Sequence, residues 1–219
     1  MCMAERNVRT HCSKGHEHPG LSSIITAFDL EDFNVLNAYT VGSHLWETCH
    51  KNSDWDLLVV LERLSSPKPL NLHRSNLEAF LLSVEQYSEL IQAHSMQVLI
   101  TLWLPENCVL REKINPRELF QFSQLALAAS LEHSKERDLR IAEKHFRKSD
   151  PKQAKKVLLH CTRYLSLGAQ IASKGAIYNY TSANEYREVI LGNYSTQWSD
   201  LMTPVQHIID QLQRDIQTS

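Results

Sequence analysis

The sequence predicts an α+β protein in which a small mixed sheet flanked by helices is followed by an all-α helical bundle. Runs rich in β-branched and aromatic residues at 35–43 and 54–61 read as strands. Beyond residue 115 the apolar positions recur at three- and four-residue intervals, the period of buried helix faces. Only 6 glycines occur in 219 residues, too few for a turn-rich all-β chain.

Residues 1–20 show no periodicity and are expected to form a flexible N-terminal tail. Cys12, His16 and His18 would suit zinc, but no second half of a tetrahedral ligand set follows, so a plain tail is favoured. A mixed α/β domain is expected over 21–115 and a helical domain over 116–219. In the first, a short helix from 21 to about 37 leads into a strand that ends in Val41-Gly42-Ser43. The second strand, 54–61, is apolar enough to be buried on both faces. Pro67 and Pro69 break the chain. A helix near 74–93, with apolar Leu77, Phe80, Leu81, Val84 and Tyr87, then precedes a third strand at 96–104 that Pro105 stops. Helices are expected at 116–147, 151–174 and 196–216. Pro151 suits a first helical turn, and Gly175 suits the end of the middle helix.

Hydrophobic residues make up 42% and charged residues 22%, the usage of a globular chain rather than a disordered one. The 23 Lys and Arg nearly balance 25 Asp and Glu, so no global field draws the chain onto nucleic acid. No apolar run reaches the roughly 18 residues that span a membrane. Five cysteines, odd in number and without a CxxC pair, suit free thiols in a reducing, cytoplasmic setting.

The residues that promise chemistry are Gly42-Ser43 and, after a polar loop, Ser53-Asp54-Trp55-Asp56 at the head of an apolar strand. Side chains at i and i+2 of a strand face the same way, so Asp54 and Asp56 project together while Trp55 and Leu57 face the opposite layer. Two neighbouring carboxylates repel unless a cation lies between them. Hard Mg²⁺ (or Mn²⁺) fits when phosphates supply its remaining ligands. Gly42 lets a triphosphate approach the backbone closely, and Ser43 adds a hydroxyl.

This conjunction resembles the polymerase-beta-like nucleotidyltransferase superfamily, whose signature is Gly-Ser followed about ten residues later by Asp-x-Asp. The likeness is good over 35–61 and extends in element order to about 105; the helical half is similar in kind to the helical partners of minimal and aminoglycoside-type nucleotidyltransferases. The resemblance implies a nucleotidyltransferase-type sheet, with Gly42, Ser43 and Ser53 at the nucleotide and Asp54 and Asp56 as metal ligands and catalytic residues. It also implies transfer of a nucleoside monophosphate from ATP or another nucleoside triphosphate to an RNA end, a protein or a small hydroxylated acceptor. One departure stands out: where a third carboxylate is expected on a later strand, this chain has Gln97. Either Glu47 or Glu106 substitutes, or the protein is a catalytically weakened nucleotide- or RNA-binding module.

Between Lys135 and Arg163 lie ten Lys and Arg against four Asp and Glu. Lys152, Lys156, His160 and Arg163 share one helix face, with Lys155 beside them. Lys156, His160 and Arg163 are the candidates for a triphosphate or an RNA backbone; a solvated helix face is the plainer account. Tyr178, Tyr180 and Asn184 follow the helix end, where packing explains the tyrosines better than base stacking. Arg140 and His145 have the Arg-x4-His spacing of a family of helical ribonucleases, a spacing common by chance in a basic helix.

Overall fold

The computed structural model describes residues 18–218. Cys12, His16 and most of the expected tail therefore lie outside the described residues. The chain divides into two compact units. One runs up to Val84 and adds Pro105–Ile114; the other comprises Glu85–Leu104 and the chain from Asn115 onward.

The first unit is built on a five-stranded sheet: β1 (Val35–Val41), β2 (Trp55–Leu61), β3 (Leu70–Arg74), β4 (Leu77–Ser83) and β5 (Val109–Glu112), in the order β3-β4-β2-β1-β5. Only β2 and β4 pair in parallel, so the sheet is mixed. Helix α1 (Leu21–Ala27) supplies Ile24 to one face of the sheet, where Phe28 also packs on Val35, Ala38, Trp55, Leu57, Val59, Leu61, Leu77, Ala79 and Leu81. A register shift between Val35 and Asn37 resets the alternation of β1. Asn37, fully buried, is satisfied by Tyr39 Oη, the Ile114 carbonyl and the N–H groups of Lys113 and Ile114, which ties β1 to β5.

Two expectations from the sequence are corrected here. The segment read as a helix from 74 is the strand β4 as far as Ser83, and only then helix α3 (Val84–Gln92). Its neighbour β3 makes a two-residue turn through Ser75 and Asn76, with Arg74 opposite Leu77 and Ser75 at φ 54°. The segment read as a third strand, 96–104, is helical: α4 (Met96–Leu99) followed by a 3₁₀ turn from Ile100 to Trp103. Met96, Val98, Leu99, Ile100 and Leu102 are all buried. A run that is apolar on every side carries no period to separate strand from helix.

In the second unit, α5 (Gln124–Arg147) and α6 (Pro151–Lys174) pack along each other, with α7 (Arg187–Leu191) and α8 (Trp198–Gln217) completing the bundle. Asp150 caps α6 by accepting from the Gln153 N–H at 3.1 Å. Gly175 ends it at φ 69°, as expected. Segment 85–104 is fastened within this unit: Ser123 N–H donates to His94 Nε2, Tyr180 Oη to the Ile100 carbonyl, and Arg117 Nε to the Leu102 carbonyl. No helix among the described residues is long and apolar enough to cross a membrane. The expectation of five free thiols is corrected at Cys49, which is disulfide-bonded; Cys108 and Cys161 are free and buried.

Candidate active site

Strand register creates the site. Val41 pairs with Asp56 across the antiparallel β1–β2 ladder, so the chain leaving β1 must pass beside that carboxylate. Gly42 does so at φ 65°, in the left-handed region that favours glycine. A Cβ there would lie 1.7 Å from Asp56 Oδ2, so the absence of a side chain is what admits the carboxylate. The Ser43 N–H then donates to Asp56 Oδ2 at 3.2 Å. Gly42–Leu45 continues as the single turn α2, whose His44 ring stacks on Trp55 with centroids 3.5 Å apart.

The expected facing of β2 is observed. Trp55 and Leu57 belong to the core, while half-buried Asp56 points away from it. Asp54 stands exposed just before the central strand and lies 4.0 Å from Nε2 of His73, a residue of the edge strand β3. Ser53 serves the loop, its hydroxyl accepting from the His50 N–H at 2.9 Å.

The carboxylate next to Asp56 is one that sequence reasoning missed. Parallel pairing sets Glu78 of β4 directly beside Asp56, and β3 sets His73 beside Glu78. His73, Glu78 and Asp56 thus form one row across three strands. Gln97, read as the substitute for a third acid, belongs to α4 and not to a strand at all. The signal for Glu78 was present: Leu70 and Leu72, a Ser-Asn turn, then Leu77 and Ala79 flanking the acid, which is the alternation of a hairpin.

Burial pushes the Asp56 carboxyl up to about 6; the Ser43 N–H opposes the rise, and the charges of Glu78 and Asp54 add to it. A cation between these groups would relieve that repulsion, and an all-oxygen donor set is what Mg²⁺ or Mn²⁺ prefers. Among the described residues, no three His, Cys, Asp or Glu side chains converge closely enough to hold an ion by themselves. Asp54, Asp56 and Glu78 thus offer an all-oxygen donor set that would need further ligands to hold an ion.

In the helical unit, Lys156 is exposed, whereas His160 is engaged. Its Nδ1 lies 2.9 Å from Oδ2 of buried Asp138, and its ring packs against Tyr164. Burial pushes the Asp138 carboxyl up, but His160 and the Arg137 guanidinium outweigh it and hold it below its ordinary value. Burial lowers Arg163 to about 10, and neighbouring Arg187 adds to the shift. Lys155 caps α7 by donating to the Leu191 carbonyl. Arg140 Nε donates to the Glu136 carbonyl and His145 lies 3.5 Å from Asp150, two separate local contacts.

No family model matches the chain, and no curated protein matches it. Among solved structures the chain is similar to spectinomycin adenyltransferase AAD(9) from Enterococcus faecialis, solved with ATP and spectinomycin, at 13% identity over 85% of this chain and 93% of that one, with a TM-score of 0.43. It is also similar to a nucleotidyltransferase-like protein from Exiguobacterium sibiricum, at 13% identity over 90% and 73% of the two chains, with a TM-score of 0.33.

Proposed function

We propose that the chain is a metal-dependent nucleotidyltransferase of the polymerase-beta-like type, moving a nucleoside monophosphate from ATP or another triphosphate to an acceptor. The observation that carries this reading is the meeting of the Asp56 carboxylate with the Gly42–Ser43 turn, with Glu78 in register beside it. Asp54 and Asp56 would hold Mg²⁺ or Mn²⁺, which when bound neutralises triphosphate charge and stabilises the departing pyrophosphate. Ser43 offers its N–H and hydroxyl to phosphate oxygens, and Ser53 lies in the loop that leads to the acids. Glu78 takes the proton of the acceptor hydroxyl as its oxygen bonds to the α-phosphorus and the bond to pyrophosphate breaks.

The rival reading, a weakened binding module, drew its support from Gln97. Glu78, in register beside Asp56, offers a carboxylate in place of the one Gln97 lacks, which favours catalysis. The basic row of α6 is proposed as a phosphate-binding face in its own right, through Lys156 and Arg163. His160 takes part only through Nε2, since Nδ1 is committed to Asp138. A cytoplasmic setting belongs to the same proposal. It rests on buried free Cys108 and Cys161, and the Cys49 disulfide does not support it.

The test is transfer of label from each of the four α-labelled ribonucleoside triphosphates, with Mn²⁺ or Mg²⁺ and a panel of RNA, protein and hydroxylated acceptors. Asp54→Ala/Asp56→Ala should abolish transfer, and Glu78→Gln should lower kcat at least about 100-fold, the usual worth of a general base. Undiminished labelling by the double variant would falsify the site assignment.

A further inference from the structure

The Gly42–Ser43 turn is fastened to β2 at two points contributed by adjacent residues. At the first, Ser43 N–H donates to Asp56 Oδ2. At the second, the His44 imidazole lies flat on the Trp55 indole, with centroids 3.5 Å apart and planes inclined by only 7°. The indole is 7% exposed and belongs to the core on the face of the sheet opposite Asp56. A third ring steadies it from the edge: His18, 4.9 Å away and inclined by 61°, whose Nε2 lies 3.4 Å from Thr40 Oγ1.

The two fastenings differ in what happens when substrate arrives. The first is made from the groups the reaction needs, the Ser43 amide for a phosphate and the Asp56 carboxylate for a cation, so it must be surrendered on binding. The second uses neither group. His44 follows Ser43 directly, and Trp55 separates the two aspartates, so the ring stack joins the turn to the acids through one covalent step on each side. We infer that His44 is a positioning residue, whose stack on Trp55 holds the Gly42–Ser43 turn against β2 while Ser43 and Asp56 exchange each other for substrate. This rests on the assignment of that turn and Asp56 to the nucleotide site. Reacting groups must be held to about 0.5 Å, and a displacement of about 1 Å costs on the order of 100-fold in rate. A turn left to a hydrogen bond that substrate itself removes would lack that precision.

The experiment compares His44→Ala with His44→Phe, which restores a flat ring without the imidazole nitrogens. Hydrogen exchange is measured in the full chain without nucleotide over the backbone amides of residues 42–48, and transfer kinetics with whichever triphosphate the unaltered protein uses. His44→Ala should exchange about tenfold faster over this segment and lower kcat about tenfold, with a smaller rise in KM. His44→Phe should stay within about threefold of the unaltered protein in both. Unchanged exchange in His44→Ala overturns the inference whatever the activity, and so does a His44→Phe variant as impaired as the alanine one. If the unaltered protein transfers nothing while His44→Ala still loosens the turn and His44→Phe does not, the nucleotidyltransferase reading fails and the fastening stands. Normal transfer by His44→Ala leaves that reading intact and removes His44 from it.

Discussion

Asp56 is a half-buried carboxyl whose pKa is raised to about 6, chiefly by burial, so ionising it works against folding. Its folded value lies above its unfolded one. Stability is therefore highest at low pH, declines as pH rises from about 4 to about 6, and is flat above that. Two pKa units correspond to roughly 3 kcal/mol. Asp56→Asn should accordingly raise the melting temperature at pH 8 while abolishing transfer, and the gain should vanish at pH 4; an equal gain at both pH values would refute the cause given. Gly42 presents the reverse case. In Gly42→Ala the new methyl occupies the space of the Asp56 carboxylate at a positive φ. We expect about 1–2 kcal/mol lost from the backbone conformation alone, read from the urea midpoint, and transfer reduced at least about 100-fold. Both residues, as parts of one constellation, were legible from Gly-Ser and Asp-x-Asp. The collision that makes glycine obligatory was not, because it depends on how β1 faces β2.

Among the elements, α5 and α6 are joined by a 2.9 Å contact from His160 to buried Asp138, a histidine that spacing had suggested for a ligand. Asp138, with a side chain only 4% exposed, accepts from Arg137 and lies against a half-exposed His160. Asp138→Ala should destabilise the protein by about 2–3 kcal/mol at pH 7, below the full cost of breaking a buried pair because His160 meets solvent. The folded Asp138 value is depressed, so its contribution exists above the ordinary carboxylate range and is lost as pH falls through the folded value. Chemical denaturation of the two proteins should thus converge in acid, and a constant difference would contradict this account. β4 shows how an element can be misread from pattern. Leu77, Phe80, Leu81 and Val84 satisfy a helical period, while Leu77, Ala79 and Leu81 satisfy a strand. Pairing with β2 on one side and β3 on the other selects the strand, and that selection places Glu78 in the row of acids.

For the whole molecule, the chain passes between its two units at three places, after Val84, Leu104 and Ile114. Segment 85–104 contributes Tyr87, Ile91, Met96, Val98 and Leu99 to the buried set, and His94, Ile100 and Leu102 accept hydrogen bonds from Ser123, Tyr180 and Arg117 of the later chain. A fragment of residues 116–219 lacks all of these and should melt broadly, without the cooperative transition of the full chain in circular dichroism; a sharp transition would show the segment to be dispensable. By itself the sequence determined the strands around Gly42 and Asp56, the opposite facing of Trp55 and Asp56, and the span of α6, because each is written in neighbours along one segment. Only the tertiary structure decided that 77–83 is a strand, that 96–103 is helical, and that Glu78 stands beside Asp56. Strand register is a relation between segments distant in the chain, and a segment buried on all sides has no polar face to reveal its period.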